Sequence, residues 1–417
     1  MASTLMNRRG KEGSLSINKS NNTSDNDHRI IEAFDPQTPL GEVSESSTLR
    51  SQSPAVTAGH QRPTIGLWDD IKTMQWVVRP ASAFKLLLIP VVLYFNWELL
   101  APYVAPGVEN PFAPLLFISH HVPTSSPDDP RYQKGYKDLL FIAYYIIFFS
   151  LFRQGLTVNL GVPLARYFGI SRQARIDRFG EQGHAMVYFT IMGAWGIHIM
   201  TTLPTWWYRT ENFWIDYPHW DMLPQLKRYY LMHSAYWCQQ LIVLVLGLEK
   251  PRKDYYELVA HHFVTLWLVG WSYLINLTLI GNAVFVSMDI PDVFLAGSLL
   301  LNLIQWKRAK VVAFAVLLVA WIYFRLWLNI RMLWSVWHEF DLIPEASKQW
   351  FPPEGVWLVW WMKYQIFFAI SALLVLNFIW LYYLLRVLVR SLTTADMTDE
   401  REVEDDDEEA EDEKKDQ

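Results

Sequence analysis

ELVAHHFVTLWLVGWSYLINLTLIGNAVFVSMDIPDVFL, residues 257–295, is two apolar runs joined by a short turn. The first run carries His261 and His262, and the second carries Asp289 and Asp292. Both runs are apolar enough to lie in a bilayer. A carboxylate near the bilayer centre costs about 2.5–3.5 kcal/mol on insertion scales. Four ionisable groups in consecutive spans therefore predict a site that faces a protein interior rather than lipid. Asp289 and Asp292 are spaced i, i+3 and share one helix face. The two imidazoles point about 100° apart, so one can face the site while the other supports it. The alternative for the carboxylates is a structural pair bonded to a neighbouring helix. Depth is a difficulty. His261 lies about 8 Å inside one edge and Asp289 about 12 Å from the other. A core about 30 Å thick leaves some 10 Å between them. Pro291 lacks an N–H and is expected to disturb the helix at the carboxylates, and tilt closes the rest. The pattern predicts an intramembrane enzyme.

Working outward, eight apolar segments are long enough to span, near 84–104, 139–160, 184–203, 229–248, 256–278, 282–305, 311–333 and 356–386. The expected fold is all-α, a polytopic integral membrane protein of about eight transmembrane helices. The connections near 161–182, 249–255 and 306–310 hold ten Lys/Arg, among them Arg178, Lys250, Arg252 and Lys253. By the positive-inside rule these face the cytosol, and eight spans put both termini there. Trp206, Trp207, Trp214, Trp220, Trp334, Trp337, Trp350 and Trp357 cluster on the other side and read as an interfacial aromatic belt. The expected organisation is a disordered cytosolic region over 1–80, a first span with its lumenal loop over 81–134, a membrane domain over 135–392 and an acidic disordered tail over 393–417. The polar ends cannot bury enough apolar area to offset chain entropy. They hold the mean hydropathy to +0.08 although 52% of residues are hydrophobic. The net charge of −6 comes from the tail run 405–409 and says little about the folded part. The single cysteine, Cys238, excludes an intrachain disulfide and reads as core. No apolar h-region follows Arg8-Arg9, so no cleaved signal peptide is expected.

His120-His121 is a second dyad, but it sits beside the Pro-rich loop PTSSPDDP outside any span. The chain has 11 histidines and none of the HxxxH or HxxHH boxes of membrane iron enzymes and elongases, so no metal site is expected. There is no internal repeat and no phosphate-binding Gly-rich loop, and no nucleic-acid partner is expected.

Residues 257–295 resemble the Lag motif of ceramide synthases. RFGEQGHAMVY (178–188), LEKPRKDYYELV (248–259) and NIRMLWSVWHEF (329–340) resemble the fungal members in order. The resemblance covers roughly 135–392, within the wider TLC domain group. Pro291 departs from it, a small residue being usual between the two aspartates. The resemblance implies six or so helices forming a barrel around an intramembrane site. It implies transfer of an acyl group, from a very-long-chain fatty acyl-CoA, to the amine of a sphingoid base. No cofactor is implied beyond acyl-CoA as co-substrate. His261, His262, Asp289 and Asp292 carry over as the catalytic set. Arg178, Lys250, Arg252 and Lys253 are candidates for CoA phosphates, topology alone being the other use of these charges. The resemblance also leaves room for a small single-span accessory subunit and a homo- or heterodimer with a paralogous synthase. It places part of the acyl-length selectivity in the loop near 334–356. The ending Lys414-Lys415-Asp416-Gln417 resembles a dilysine retrieval signal, which fits the endoplasmic reticulum membrane. The competing reading is a non-catalytic TLC-domain protein that senses lipid or assists a translocon.

Overall fold

The computed structural model describes residues 66–247, 255–348 and 359–394. Lys250, Arg252, Lys253, Trp350, Trp357 and the acidic tail with Lys414-Lys415 lie outside the described residues. Among the described residues the regular structure is helical, apart from two isolated bridges, His121–Tyr132 and Tyr132–Met222. Eight long helices fall where the eight apolar segments predict them. They are α1 (Pro80–Val104), α2 (Asp138–Tyr167), α3 (Gln173–Thr202), α4 (Pro224–Val245), α5 (Tyr255–Leu274), α6 (Thr278–Leu303), α7 (Lys307–His338) and α8 (Met362–Thr394). Helices satisfy their own backbone donors and acceptors, as lipid requires. Five of them, α1, α2, α6, α7 and α8, are long and apolar enough to cross a membrane. The other three are of 30, 22 and 20 residues, and His, Tyr, Trp and terminal charges lower their hydropathy. The protein is an all-α, multi-pass membrane protein.

Neighbour packing closes a ring. In order round it, α2 meets α4, α4 meets α5, α5 meets α8, α8 meets α7, α7 meets α6, α6 meets α3, and α3 returns to α2. Seven helices thus enclose the interior, one more than the six or so expected, and α1 packs on α2. The α2–α3 crossing is close because both helices present glycine. A Cβ on Gly161 would lie 2.7 Å from the Gly180 Cα.

The end of the ring remote from the Lys/Arg connections is plugged by protein. Residues 203–223 fold inward, with Tyr208, Phe213, Trp214 and Tyr217 essentially inaccessible. Their polar atoms find partners there. Tyr208 Oη donates to Ala283 O at 3.0 Å, Tyr217 Oη to Ile275 O at 2.6 Å and Trp214 Nε1 to Ser335 Oγ at 2.7 Å. Trp214 therefore belongs to the core and not to an interfacial belt, whereas Trp206, Trp207, Trp220, Trp334 and Trp337 keep exposed faces. A buried clasp holds the loop before α2. Lys227 Nζ lies 2.8 Å from Asp138 Oδ1 and donates to Ser119 O and Gln133 O at 2.8 and 2.6 Å. Asp138 Oδ2 accepts from Gly135 N and Tyr273 Oη at 2.8 and 2.7 Å. A lysine and an aspartate can be buried here because each finds several partners.

Residues 67–78, expected in the disordered N-terminal region, instead form two short helices, Leu67–Lys72 and Gln75–Val78. Trp76 and Val77 bury against apolar residues of α1, α2 and α4, which supplies the apolar area that the tail before them lacks.

Candidate active site

Helix α5 carries both histidines and α6 both aspartates. The connection between them is three buried residues, Ile275, Asn276 and Leu277, so the two helices are locked as a hairpin. Asn276 makes the turn with φ of 60°, a left-handed conformation that asparagine tolerates. Helix α6 runs through Pro291 without a break, so the expected disturbance at the carboxylates does not interrupt it.

A cavity opens among α4, α5, α6, α7 and α8, and its lining includes His261, Thr265, Asp289, Asp292, Arg325 and Trp237. The axial offset between His261 and the carboxylates is thus spanned by a single cavity. His262 is buried but does not line it. Its Nδ1 donates to Leu258 O at 2.8 Å, which leaves Nε2 as the acceptor when the ring is neutral. His261 has the Thr265 hydroxyl 3.5 Å from its ring nitrogens. The edges of Trp237 and Trp380 flank it at 5.4 and 5.2 Å between centroids. Trp237 also meets His262, so one indole steadies both rings.

The two aspartates, alike in sequence, have different surroundings. Asp292 Oδ1 accepts from Arg325 Nη2 at 2.6 Å. Arg325 also donates to Met288 O at 3.2 Å and to Asn377 Oδ1 at 3.3 Å, and its guanidinium lies 4.3 Å from the Trp321 ring centre. This arginine stands in a π-helical segment of α7, Trp321–Trp327. Such widened turns re-aim side chains and recur at functional sites. Asp289 is fully buried, and His233 Nε2 lies 3.2 Å from its Oδ2, at ion-pair distance but off the line a hydrogen bond takes.

Along α5 and α6 the cavity adjoins an apolar slot, which shares Leu268, Val269, Val284 and Phe285 with it. Trp267, Trp271, Ile280, Ile366 and Ala369 line the slot, with few polar atoms. The arrangement offers an imidazole, two carboxylates and a guanidinium beside an apolar slot. Imidazole can accept a proton near neutral pH or attack an activated carbonyl, and a buried carboxylate can balance the resulting cation.

Reading by hydropathy windows misses Arg325 and His233. Each is an ionisable residue inside an apolar segment, and that was the available signal. Arg178 lies in the second turn of α3, away from this cavity, and is half-buried. His120 and His121 lie in the loop before α2, where His120 packs against Gly135 and Tyr136. Among the described residues no three His, Cys, Asp or Glu side chains converge as metal ligands do.

The TLC domain matches residues 178–386, which include the cavity. The chain is 37% identical to Sphingosine N-acyltransferase lac1 of Schizosaccharomyces pombe, over 78% of this chain and 82% of the relative. It is 37% identical to Ceramide synthase LAG1 of Saccharomyces cerevisiae, over 73% and 72%. It is 38% identical to Sphingosine N-acyltransferase-like protein FUM17 of Gibberella moniliformis, over 65% and 69%. With the TLC domain laid over the cavity and the ring helices α3 to α8, and these relatives aligned along most of its length, the chain belongs to the fungal Lag1-type family of sphingosine N-acyltransferases.

Proposed function

We propose that this protein is a ceramide synthase, which moves a fatty acyl group from acyl-CoA to the amine of a sphingoid base inside the membrane. The observation that carries the reading is the cavity that gathers His261, Asp289, Asp292 and Arg325 at the mouth of an apolar slot. In this reading the sphingoid nitrogen attacks the thioester carbonyl, the C–S bond breaks, and the amine proton passes through His261 to the departing thiolate. Asp289 and Asp292 balance the imidazolium, as the carboxylate does in Ser-His-Asp sites. His262, held by Leu258 O, supports its neighbour. An acyl-imidazole on His261, formed before amine attack, uses the same groups. The slot takes the acyl chain, very long in the fungal pattern. Acyl-CoA is the co-substrate, and Arg178 with Lys250, Arg252 and Lys253 receives its phosphates at the end bearing the Lys/Arg connections.

The test is ceramide formation by microsomes from a strain that depends on this chain, supplied with sphingoid base and acyl-CoA. His261→Ala is expected to lower it by about 10²–10⁴-fold. His262→Ala should also remove most of it, with both proteins still present in the membrane. Near-parental turnover in both variants rejects the assignment. The same reading places the protein in the endoplasmic reticulum with cytosolic termini, so protease added to sealed microsomes should digest a C-terminal tag. It also leaves room for a small single-span accessory subunit and a homo- or heterodimer with a paralogous synthase, which co-purification reads. The loop near 334–356 is assigned part of the acyl-length choice. Exchanging 335–352 with a member of different preference should shift the ceramide profile, and an active chimera with the parental profile rejects that role.

A further inference from the structure

Asp289 is met from the interior by a line of groups that do not border the cavity. His233 on α4 reaches it through Nε2, and Tyr188 on α3 lies with its Oη 3.2 Å from the Nδ1 of the same ring. All three side chains are excluded from solvent. The imidazole is fixed in plane and at Nδ1, and its Nε2 stands at ion-pair distance from Asp289. It stacks on Phe285 at 4.1 Å and 8°, and the edge of Tyr229 abuts it at 4.5 Å. Tyr188 is itself stacked on Tyr236 at 3.4 Å. An imidazole kept only for packing has no need of a carboxylate beside one nitrogen and a phenol at the other.

Charge gives this line a purpose. Besides His261, the cavity lining carries two carboxylates, Asp289 and Asp292, against one guanidinium, Arg325, among the described residues. In a medium of low dielectric that surplus must be balanced. The groups that face His233 are Tyr188 from α3, Tyr229 from its own helix, and Asp289 and Phe285 from α6. Of these, Asp289 is the charged one. Nε2 therefore faces the one carboxylate among these groups, while Nδ1 meets Tyr188 Oη.

We propose that His233, fixed by Tyr188, is a positioning residue for the acyl transfer: it holds the balancing proton that lets Asp289 face the cavity as a carboxylate. The proton moves only between Nε2 and Oδ2, so nothing is gained or lost from the site. When His261 becomes cationic, Asp289 is already ionised to balance it. This inference rests on the acyl-transfer reading above.

The test uses His233→Gln, whose amide can reach Asp289 but carries no exchangeable charge, and Tyr188→Phe, which removes one oxygen. Ceramide formation is measured in microsomes of the full chain between about pH 5.5 and 9, with the membrane-bound protein quantified. The expected result for His233→Gln is a turnover loss of about tenfold or more. KM for acyl-CoA should stay within about twofold, the mark of an interaction made in the transition state. The acid limb of the rate profile should move to higher pH by about one unit or more, because the carboxylate must now take up the proton itself. Tyr188→Phe should move it the same way by less. His184→Gln, a buried imidazole that contacts Phe152 and Tyr236 instead, should leave the limb where it is. A His233→Gln profile superimposable on the parent, or lowered equally at every pH, overturns the proposal. If that variant fails to accumulate, an unmoved limb in Tyr188→Phe overturns it. Absence of ceramide from the parent would instead reject the acyl-transfer reading, so the two failures are distinct.

Discussion

At the scale of residues, the site is a set of ionisable groups that would each be costly alone in lipid. Arg325 shows how the cost is met. Its planar fork serves Asp292, the Met288 carbonyl and Asn377 together, over the face of Trp321. Lysine keeps the charge but not the fork. Arg325→Lys is therefore expected to lose about tenfold or more in turnover while the protein still accumulates, the loss being about 1.4 kcal/mol of barrier for each factor of ten. Unchanged turnover would show that a point charge suffices. His120 gives a pH prediction outside the spans. Burial, the largest influence, holds its imidazole below the ordinary histidine range, so the native loop binds fewer protons there than the unfolded loop. Stability from this group is present above about pH 6.5 and is lost as pH falls through the lowered folded value. Hydrogen-exchange protection over residues 117–137, relative to the intrinsic rate at each pH, should fall on acidification, and His120→Phe should flatten that dependence. His261, His262, Asp289 and Asp292 were legible because they come as pairs in neighbouring apolar runs. Arg325 and His233 come singly and far along the chain from the aspartates they meet, and a window of local composition does not register that kind of pairing.

At the scale of elements, the helices were legible because most are long apolar runs, and in lipid a helix satisfies its own backbone. Where the sequence misled, the cause was packing between elements. Residues 203–223 look like an aromatic belt, yet Trp214 and Tyr208 are core because hydroxyl and indole groups find partners on α6 and α7. The clasp of Lys227 with Asp138 is of the same kind, joining α4 to α2 across residues far apart in sequence. Removing one member leaves the other buried without its charge partner. Lys227→Met should therefore cost about 3–5 kcal/mol, and Lys227→Met with Asp138→Leu considerably less. Thermal unfolding in detergent, read by loss of the monodisperse species, compares the two. A double variant as unstable as the single would show that the hydrogen bonds, not the charges, matter.

At the scale of the whole molecule, the ring sets what the protein can hold. The slot adjoining the cavity is bounded at one side by Ala369 of α8. Ala369→Phe should fill part of it and shorten the preferred acyl chain, since each methylene in an apolar pocket is worth about 0.8 kcal/mol. Ceramide length profiles from a strain dependent on the variant are the measurement, and an unaltered profile at retained activity would place the chain end elsewhere. The ring also fixes an order of events during biosynthesis. His233 emerges before Asp289 and can receive it, but Arg325 is 33 residues downstream of Asp292. At about 5–20 residues per second a ribosome takes some 2–7 s to make that stretch. For that interval the α5–α6 hairpin must enter the bilayer without the guanidinium that Asp292 meets in the finished protein. The nascent chain is thus most exposed to quality control midway through synthesis, and the arrival of α7 is the step that commits it to the membrane.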